Sequence, residues 1–308
     1  MGNELTALYA GSGALFAVSA GILGLLVGSF LNVVIYRLPL MLERGWRAEA
    51  ADLLAAADAA HAATLPADPG PAFNLLAPRS ACPHCKTPIK AHHNVPVLSW
   101  LWLRGRCAAC EAGISVRYPA VELATALASA TVAWHFGFGL PAACALLVTW
   151  TLIALAGIDI DHQLLPDGLT LPLMWGGLAA AALLGHGAAG GLPLGPRASI
   201  LGAAAGYLSL WLVFHAFRAV TGKEGMGYGD FKLFAALGAW LGWQLLPLVL
   251  VLAAAAGAVL GIALIVFRGR DRAAPLPFGP YLAMAGWLAM LYGSSMIDSY
   301  LHVSGLAR

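Results

Sequence analysis

The stretch from Phe231 to Phe267 reads FKLFAALGAWLGWQLLPLVLVLAAAAGAVLGIALIVF, and the number of times it crosses a bilayer decides the fold. A transmembrane helix needs about 20 mostly apolar residues. As a single helix the run would cross once. The segment GWQLLP interrupts it, and Gly242 and Pro247 favour a tight turn there. The break predicts two spans, 231–243 and 245–267. Six further apolar segments flank them, at 10–36, 119–136, 140–158, 168–186, 199–217 and 278–298. The expected fold class is an all-α polytopic membrane protein with about eight transmembrane helices.

Composition agrees. The chain has 308 residues, of which 60% are hydrophobic and 10% charged, where a soluble domain carries about 25% charged residues. A soluble fold is thereby excluded. No Lys or Arg precedes the first apolar run, so no removable signal peptide is expected.

Lys and Arg gather on the cytoplasmic side of a membrane protein. Of the 17 here, nine lie between Arg37 and Arg117, three are Arg218, Lys223 and Lys232, and three are Arg268, Arg270 and Arg272. With eight spans all fifteen face one side, and only Arg197 and Arg308 face the other; seven spans would scatter them. This predicts both termini outside and the 37–118 loop inside. Arg37 and Pro39 are read as the exit of the first span.

That loop is the one substantial polar segment. Its first half reads as a short amphipathic helix followed by a Pro/Gly linker, a solvated connector, with a variable Ala-rich stretch around 48–65. The segment HGAAGGLPLGPRAS, residues 186–199, reads as a flexible connector on the other side. Asn32 inside the first span is costly unless partnered, and reads as glue to a neighbouring helix. Gly24 with Gly28, and Gly202 with Gly206, read as close helix-packing pairs.

The second half of the loop holds CPHC, with Cys82 and Cys85, and CAAC, with Cys107 and Cys110. Two such knuckles can supply four thiolates to one tetrahedral zinc. A reducing compartment disfavours disulfides. A structural zinc is expected; a metal-free reduced cluster or a redox pair is the alternative. His84 lies within the first knuckle, but four thiolates already complete the shell; His92 and His93 read as surface residues rather than ligands, and Cys144 as a packed small hydrophobe. The loop lacks a dense basic patch with interleaved aromatics, so no nucleic-acid partner is expected.

Acidic residues in or beside the spans are Glu122, Asp159, Asp161, Asp167 and Asp230, and such groups are candidate functional residues. The topology, set from Lys and Arg alone, puts the end of the third span and the start of the sixth at one depth near the cytoplasmic face. Asp159 or Asp161 can therefore meet Asp230. Two carboxyls that share a proton can act as base and acid on water and a scissile carbonyl. Periodicity does not choose between Asp159 and Asp161. Gly225, Gly227 and Gly229 permit unusual backbone angles and close approach of an extended peptide. The alternative makes Asp230 the N-cap of the sixth span.

These segments resemble the bacterial type IV prepilin peptidases, the leader peptidases and N-methyltransferases of pilus and type II secretion systems. The likeness covers nearly the whole chain. It rests on GSFLNVVIYRLP, on CPHC with NVPVLSWLWLRGRCAACEAGISVRYPAVE, on IDIDHQLLPDGLT, on GMGYGDFKL and on PFGPYLA. That family is a GxGD aspartic protease, akin in active-site logic to presenilin and archaeal preflagellin peptidase. Its first catalytic aspartate lies seven residues before the proline of a D…P(D/N) motif, so Pro166 selects Asp159; the second is the GxGD aspartate, Asp230. The resemblance gives active-site support to Gly227, Gly229, Lys232, Pro277 and Gly279. Lys232 either tunes the dyad or marks the cytoplasmic edge, and PFGP is either an active-site element or a proline-rich entry to the last span.

The resemblance further implies cleavage of a short basic leader from type IV prepilins and pseudopilins at the cytoplasmic face of the bacterial inner membrane. It also implies N-methylation of the new N-terminal residue, usually Phe, from S-adenosylmethionine. Pilus or type II secretion assembly proteins are expected as partners, alongside the lipid bilayer. No motif points to the methyl-donor site; Glu122, Asn94–Ser99 and the cysteine loop are candidates. The expected division is 1–36 as the first transmembrane helix, 37–118 as the four-cysteine, methyltransferase-associated loop, and 119–308 as a seven-helix peptidase domain. Two other classes compete. One is a transporter that uses Asp159 and Asp230 as a proton or cation relay. The other is a zinc-ribbon scaffold with the aspartates as caps.

Overall fold

The structure is a computed structural model. It describes residues 8–9, 11–57, 73–185, 195–223, 225–268 and 276–305. The sequence readings at 58–72 and 186–194, at Glu224, at Arg270 and Arg272 and at Arg308 lie outside these residues.

The described chain is all helical apart from two isolated β-bridges. Its α-helices are α1 (Gly13–Ala57), α2 (Leu98–Trp102), α3 (Arg117–Phe136), α4 (Leu140–His162), α5 (Asp167–Leu184), α6 (Pro196–Thr221), α7 (Tyr228–Leu241), α8 (Leu246–Arg268) and α9 (Gly279–Val303). Each of the eight expected spans coincides with one of these helices. Five are long and apolar enough to cross a bilayer by length and composition: the first span, 140–162, 167–184, 196–221 and the α8 run from Trp243.

The decisive stretch is broken where expected. Gly242 ends α7 at φ 78, a left-handed value that suits glycine, and a short 3-10 turn at Trp243–Leu245 leads into α8. The 14 residues of α7 reach only about 21 Å at 1.5 Å per residue, short of a hydrocarbon core of about 30 Å.

One boundary differs. The first helix does not stop at Arg37 and Pro39 but runs on to Ala57. After Pro39 the sequence MLERGWRAEAADLLAAA is rich in strong helix formers. A proline removes one backbone bond, and the propensity of these downstream residues carries the helix past it. Arg37 is buried, its guanidinium donating to the carbonyls of Asn74 at 2.9 Å and Pro78 at 2.7 Å. Its charge is thus satisfied by backbone dipoles rather than by water.

Two compact units are present. One draws on Met1–Ala20 and Ala128–Arg308, the other on Gly21–Leu127. In the first, α7 is the central element. From Asp230 to Leu241 every residue but Lys232 is buried. Helix α6 meets it backbone to backbone: a Cβ on Gly202 would lie 2.0 Å from the Gly238 carbonyl oxygen, and one on Gly206 2.5 Å from that of Phe234. Polar side chains bond helices to one another. Ser199 Oγ donates to the Ala239 carbonyl at 2.7 Å, Trp240 Nε1 to that of Leu173 at 2.8 Å, and Trp287 Nε1 to Thr149 Oγ1 at 3.1 Å.

Because the α6–α7 contact is between backbones, no rotamer change can relieve an added methyl. A Cβ on Gly238 would sit 2.1 Å from the Gly202 carbonyl oxygen. Gly238→Ala is expected to destabilise the first unit by about 1–3 kcal/mol, seen as a lower melting temperature in detergent. A melting curve that overlays that of the parent protein would contradict this packing.

Candidate active site and thiol cluster

Asp159 and Asp230 are both buried, at 5% and 7% exposure. Asp161 is exposed, so burial separates the two aspartates that periodicity could not. Asp159 stands in the last turn of α4, which is closed by Gln163 in the left-handed conformation, its N–H bonded to the Asp159 carbonyl. Asp230 stands in the first turn of α7. The N-cap there is Gly227, so Asp230 is not the cap, and its own N–H donates to the Gly227 carbonyl at 3.2 Å. Leu165 packs both beside Gly229, the residue before Asp230, and beside Gly279, whose N–H bonds Asp159, so one side chain bridges the neighbourhoods of the two carboxyls.

The PFGP segment belongs to this site. Gly279 opens α9, and its N–H donates to Asp159 Oδ2 at 3.0 Å. A Cβ there would lie 2.6 Å from that oxygen, so only glycine permits the bond. Pro280 comes next, at the start of α9, where its missing N–H costs nothing. Pro277 lies just before, outside the helix.

The glycines of GMGYGD divide by the atoms that fill their space. A Cβ on Gly229 would meet Leu165 Cβ at 2.8 Å, and one on Gly225 would meet the Phe217 ring at 2.9 Å. Only at Gly227 is there room, with Asp230 Oδ2 the nearest atom at 3.8 Å. The Lys232 side chain is engaged by Asp167: its Nζ donates to both carboxylate oxygens, at 2.7 and 2.8 Å. Nothing in the sequence singles out Leu165 and Asp167 for these contacts. The pairings span 64 or more residues, which no local spacing encodes.

In the second unit the four thiols of Cys82, Cys85, Cys107 and Cys110 lie within 4.8 Å of one another. Cys82 and Cys110 Sγ are 3.8 Å apart. Zinc–sulfur bonds of about 2.3 Å in a tetrahedron place sulfurs about 3.8 Å apart, so the set fits zinc. The two knuckles are duplicates. Lys86 N–H donates to the Cys82 carbonyl and Glu111 N–H to that of Cys107, each at 2.9 Å, with φ of 59 and 57. Cys82 N–H then donates to the Thr87 carbonyl, and Cys107 N–H to that of Ala112. This local repeat is visible in the sequence once ACPHCKTPI is laid over RCAACEAGI. Cys85 Sγ is hydrogen-bonded to Thr87 Oγ1 at 3.3 Å, and the Thr87 side chain and backbone hold its thiol down to about 6.

Glu122 is buried in the same unit, and its Oε2 accepts the Val97 N–H at 2.7 Å. Val97 has φ 58, a strained value for a β-branched residue. Ser99 Oγ closes the turn by accepting from Val95 N–H and donating to the His92 carbonyl. Asn32 Nδ2 donates to the Tyr118 carbonyl at 3.1 Å, between α1 and α3. Gly28 lets the same helices close, with Glu122 Cα 2.7 Å from where its Cβ would be.

A helical membrane protein that buries two carboxyls, one in the last turn of α4 and one in the first turn of α7, defines a candidate intramembrane acid–base site. The chain belongs to the type IV leader peptidase family. The model described as "Type IV leader peptidase family" matches residues 146–262, and "Bacterial Peptidase A24 N-terminal domain" matches 22–136. Among curated relatives, the prepilin leader peptidase/N-methyltransferase of Stutzerimonas stutzeri is 52% identical over 94% of this chain and 96% of its own length. That of Aeromonas hydrophila is 55% identical over 90% and 91%, and that of Pseudomonas aeruginosa 51% over 94% and 95%. No solved structure matches the chain.

Proposed function

We propose that this protein removes the leader peptide from type IV prepilins and pseudopilins and then methylates the new N-terminal residue. The observation that carries this is identity above 50%, along nearly the full length, with relatives named for both activities. No relative favours the relay alternative.

The proposed peptidase centre is Asp159 and Asp230. The ionised carboxyl takes a proton from water, which attacks the scissile carbonyl carbon. The protonated carboxyl gives its proton to the carbonyl oxygen. Collapse of the tetrahedral species then breaks the C–N bond, and the amine leaves with the proton taken from water. The Gly279 N–H fixes Asp159 Oδ2 while this happens. Gly227, Gly229, Lys232 and Pro277 are assigned as support around the centre.

The four thiols suit a structural zinc that would tie the two knuckles together, and the methyl donor is S-adenosylmethionine. The protein is assigned to the bacterial inner membrane, with both termini periplasmic and residues 37–118 cytoplasmic. The functional division is then 1–36, 37–118 and 119–308. Pilus or type II secretion assembly proteins complete the setting.

The test is purified protein incubated with a prepilin and S-adenosylmethionine, followed by mass analysis of the product N-terminus. Loss of the leader plus one methyl group is expected. An intact prepilin would overturn the peptidase reading, and a cleaved but unmethylated product the transferase reading.

A further inference from the structure

Leu165 and Pro166 lead from α4 into Asp167, the first residue of α5, and this corner packs against the residue before Asp230 and against the glycine that holds Asp159. The side chain of Leu165 fills the space beside Gly229, with its Cβ 2.8 Å from where a Gly229 Cβ would be, and the space beside Gly279, at 3.1 Å to Cδ2. Gly229 precedes Asp230 in the chain, and Gly279 holds Asp159. Two residues on, Asp167 begins α5 and clamps Lys232 with both oxygens, at 2.7 and 2.8 Å. Lys232 lies two residues after Asp230 in the first turn of α7. Asp230 is thus held on both sides, by apolar packing through Gly229 and by an ion pair through Lys232.

We propose that Asp167 and Lys232 form a latch that fixes the first turn of α7 and sets the separation of Asp230 from Asp159, making Asp167 a positioning residue for cleavage. This rests on the dyad reading given above. The Asp167 side chain is 56% exposed and that of Lys232 30%. A pair this exposed adds little to global stability. A reacting group displaced by about 1 Å can cost about 100-fold in rate. The latch therefore matters for chemistry rather than for folding.

The experiment is steady-state cleavage of a purified type IV prepilin by Asp167→Asn, Lys232→Met, Asp167→Glu and the exchanged double variant Asp167→Lys with Lys232→Asp. Asp159→Asn and Asp230→Asn are run beside them, and each protein is also melted. The single neutral variants are expected to lose about 10- to 100-fold in kcat, with KM and melting temperature little changed. Asp167→Glu is expected to keep most of the rate. The exchanged pair is expected to work at least about tenfold better than the product of the single losses predicts. Wild-type kcat in Asp167→Asn overturns the latch, as does a loss that tracks melting temperature, or neutral and exchanged variants that combine additively. If the dyad variants are dead while the Asp167 variants are normal, only the latch fails. If the dyad variants still cut, the dyad reading itself fails.

Discussion

Asp159→Asn and Asp230→Asn are each expected to lower prepilin cleavage by at least about 1000-fold, within the range that general acid–base groups supply. The amide has the size and shape of the carboxyl, so neither substitution opens a cavity. In the Asp159 variant the amide oxygen can still accept the Gly279 N–H, which meets Asp159 Oδ2 at 3.0 Å in the parent protein. Melting temperatures should therefore stay close to that of the parent. The amide can neither take a proton from water nor give one to the scissile carbonyl. The loss belongs in kcat, because the interaction removed is one made in the transition state.

The same chemistry fixes the form of the pH dependence. One carboxyl must be ionised and its partner protonated, so cleavage should rise and fall with pH as a bell whose two limbs belong to the pair. A dyad variant that keeps a tenth of the parent rate, or a profile with one limb, would remove the two-carboxyl mechanism. Asp161→Asn, on the exposed neighbour, is the matched control and should cleave at the parent rate.

Much of this is legible in the sequence because its signals are local. The apolar runs and GWQLLP mark the helices and the break at Gly242, since hydropathy and turn chemistry are properties of contiguous residues. The CxxC spacing announces a thiol cluster for the same reason. The depth of Asp230 comes from where Lys and Arg lie. The contacts that shape the site are not legible. Lys232 with Asp167, Leu165 with Gly229 and Gly279, and Gly279 with Asp159 all join distant segments, and periodicity does not encode which faces meet. Glycine is the most ambiguous letter. At Gly229 its small size admits Leu165, at Gly279 it admits a carboxylate, and at Gly202 and Gly238 it admits another backbone. Composition reports all of these as the same looseness. Pro39 misleads in the opposite sense, because a proline read alone ends a helix that the helix formers beyond it continue.

Cys82→Ser is expected to have the second large effect, and to have it on a different part of the molecule. Cys82 is the buried member of the thiol cluster, and its sulfur is 3.8 Å from that of Cys110. A serine hydroxyl is a poor zinc ligand, so the site loses a quarter of its donors and most of its affinity. Structural zinc in small modules contributes about 10–16 kcal/mol of apparent binding energy near pH 7, and the two knuckles have little apolar core to replace it. Metal content should fall from one equivalent to nearly none, and amide exchange across residues 81–114 should rise. Methylation should be lost with the loop. Cleavage should survive within about tenfold, because Asp159 and Asp230 belong to the other compact unit and local unfolding can stay local. Chelation of the parent protein should reproduce the pattern. Acid should approach it too: each thiol sheds its proton to bind, so metal affinity, and the stability it brings, is present at higher pH and lost as pH falls. Thr87 lowers the Cys85 thiol to about 6, which favours the thiolate form that zinc needs. Zinc retained at one equivalent in Cys82→Ser, or cleavage and methylation that fall together, would refute the assignment of separate work to the two units.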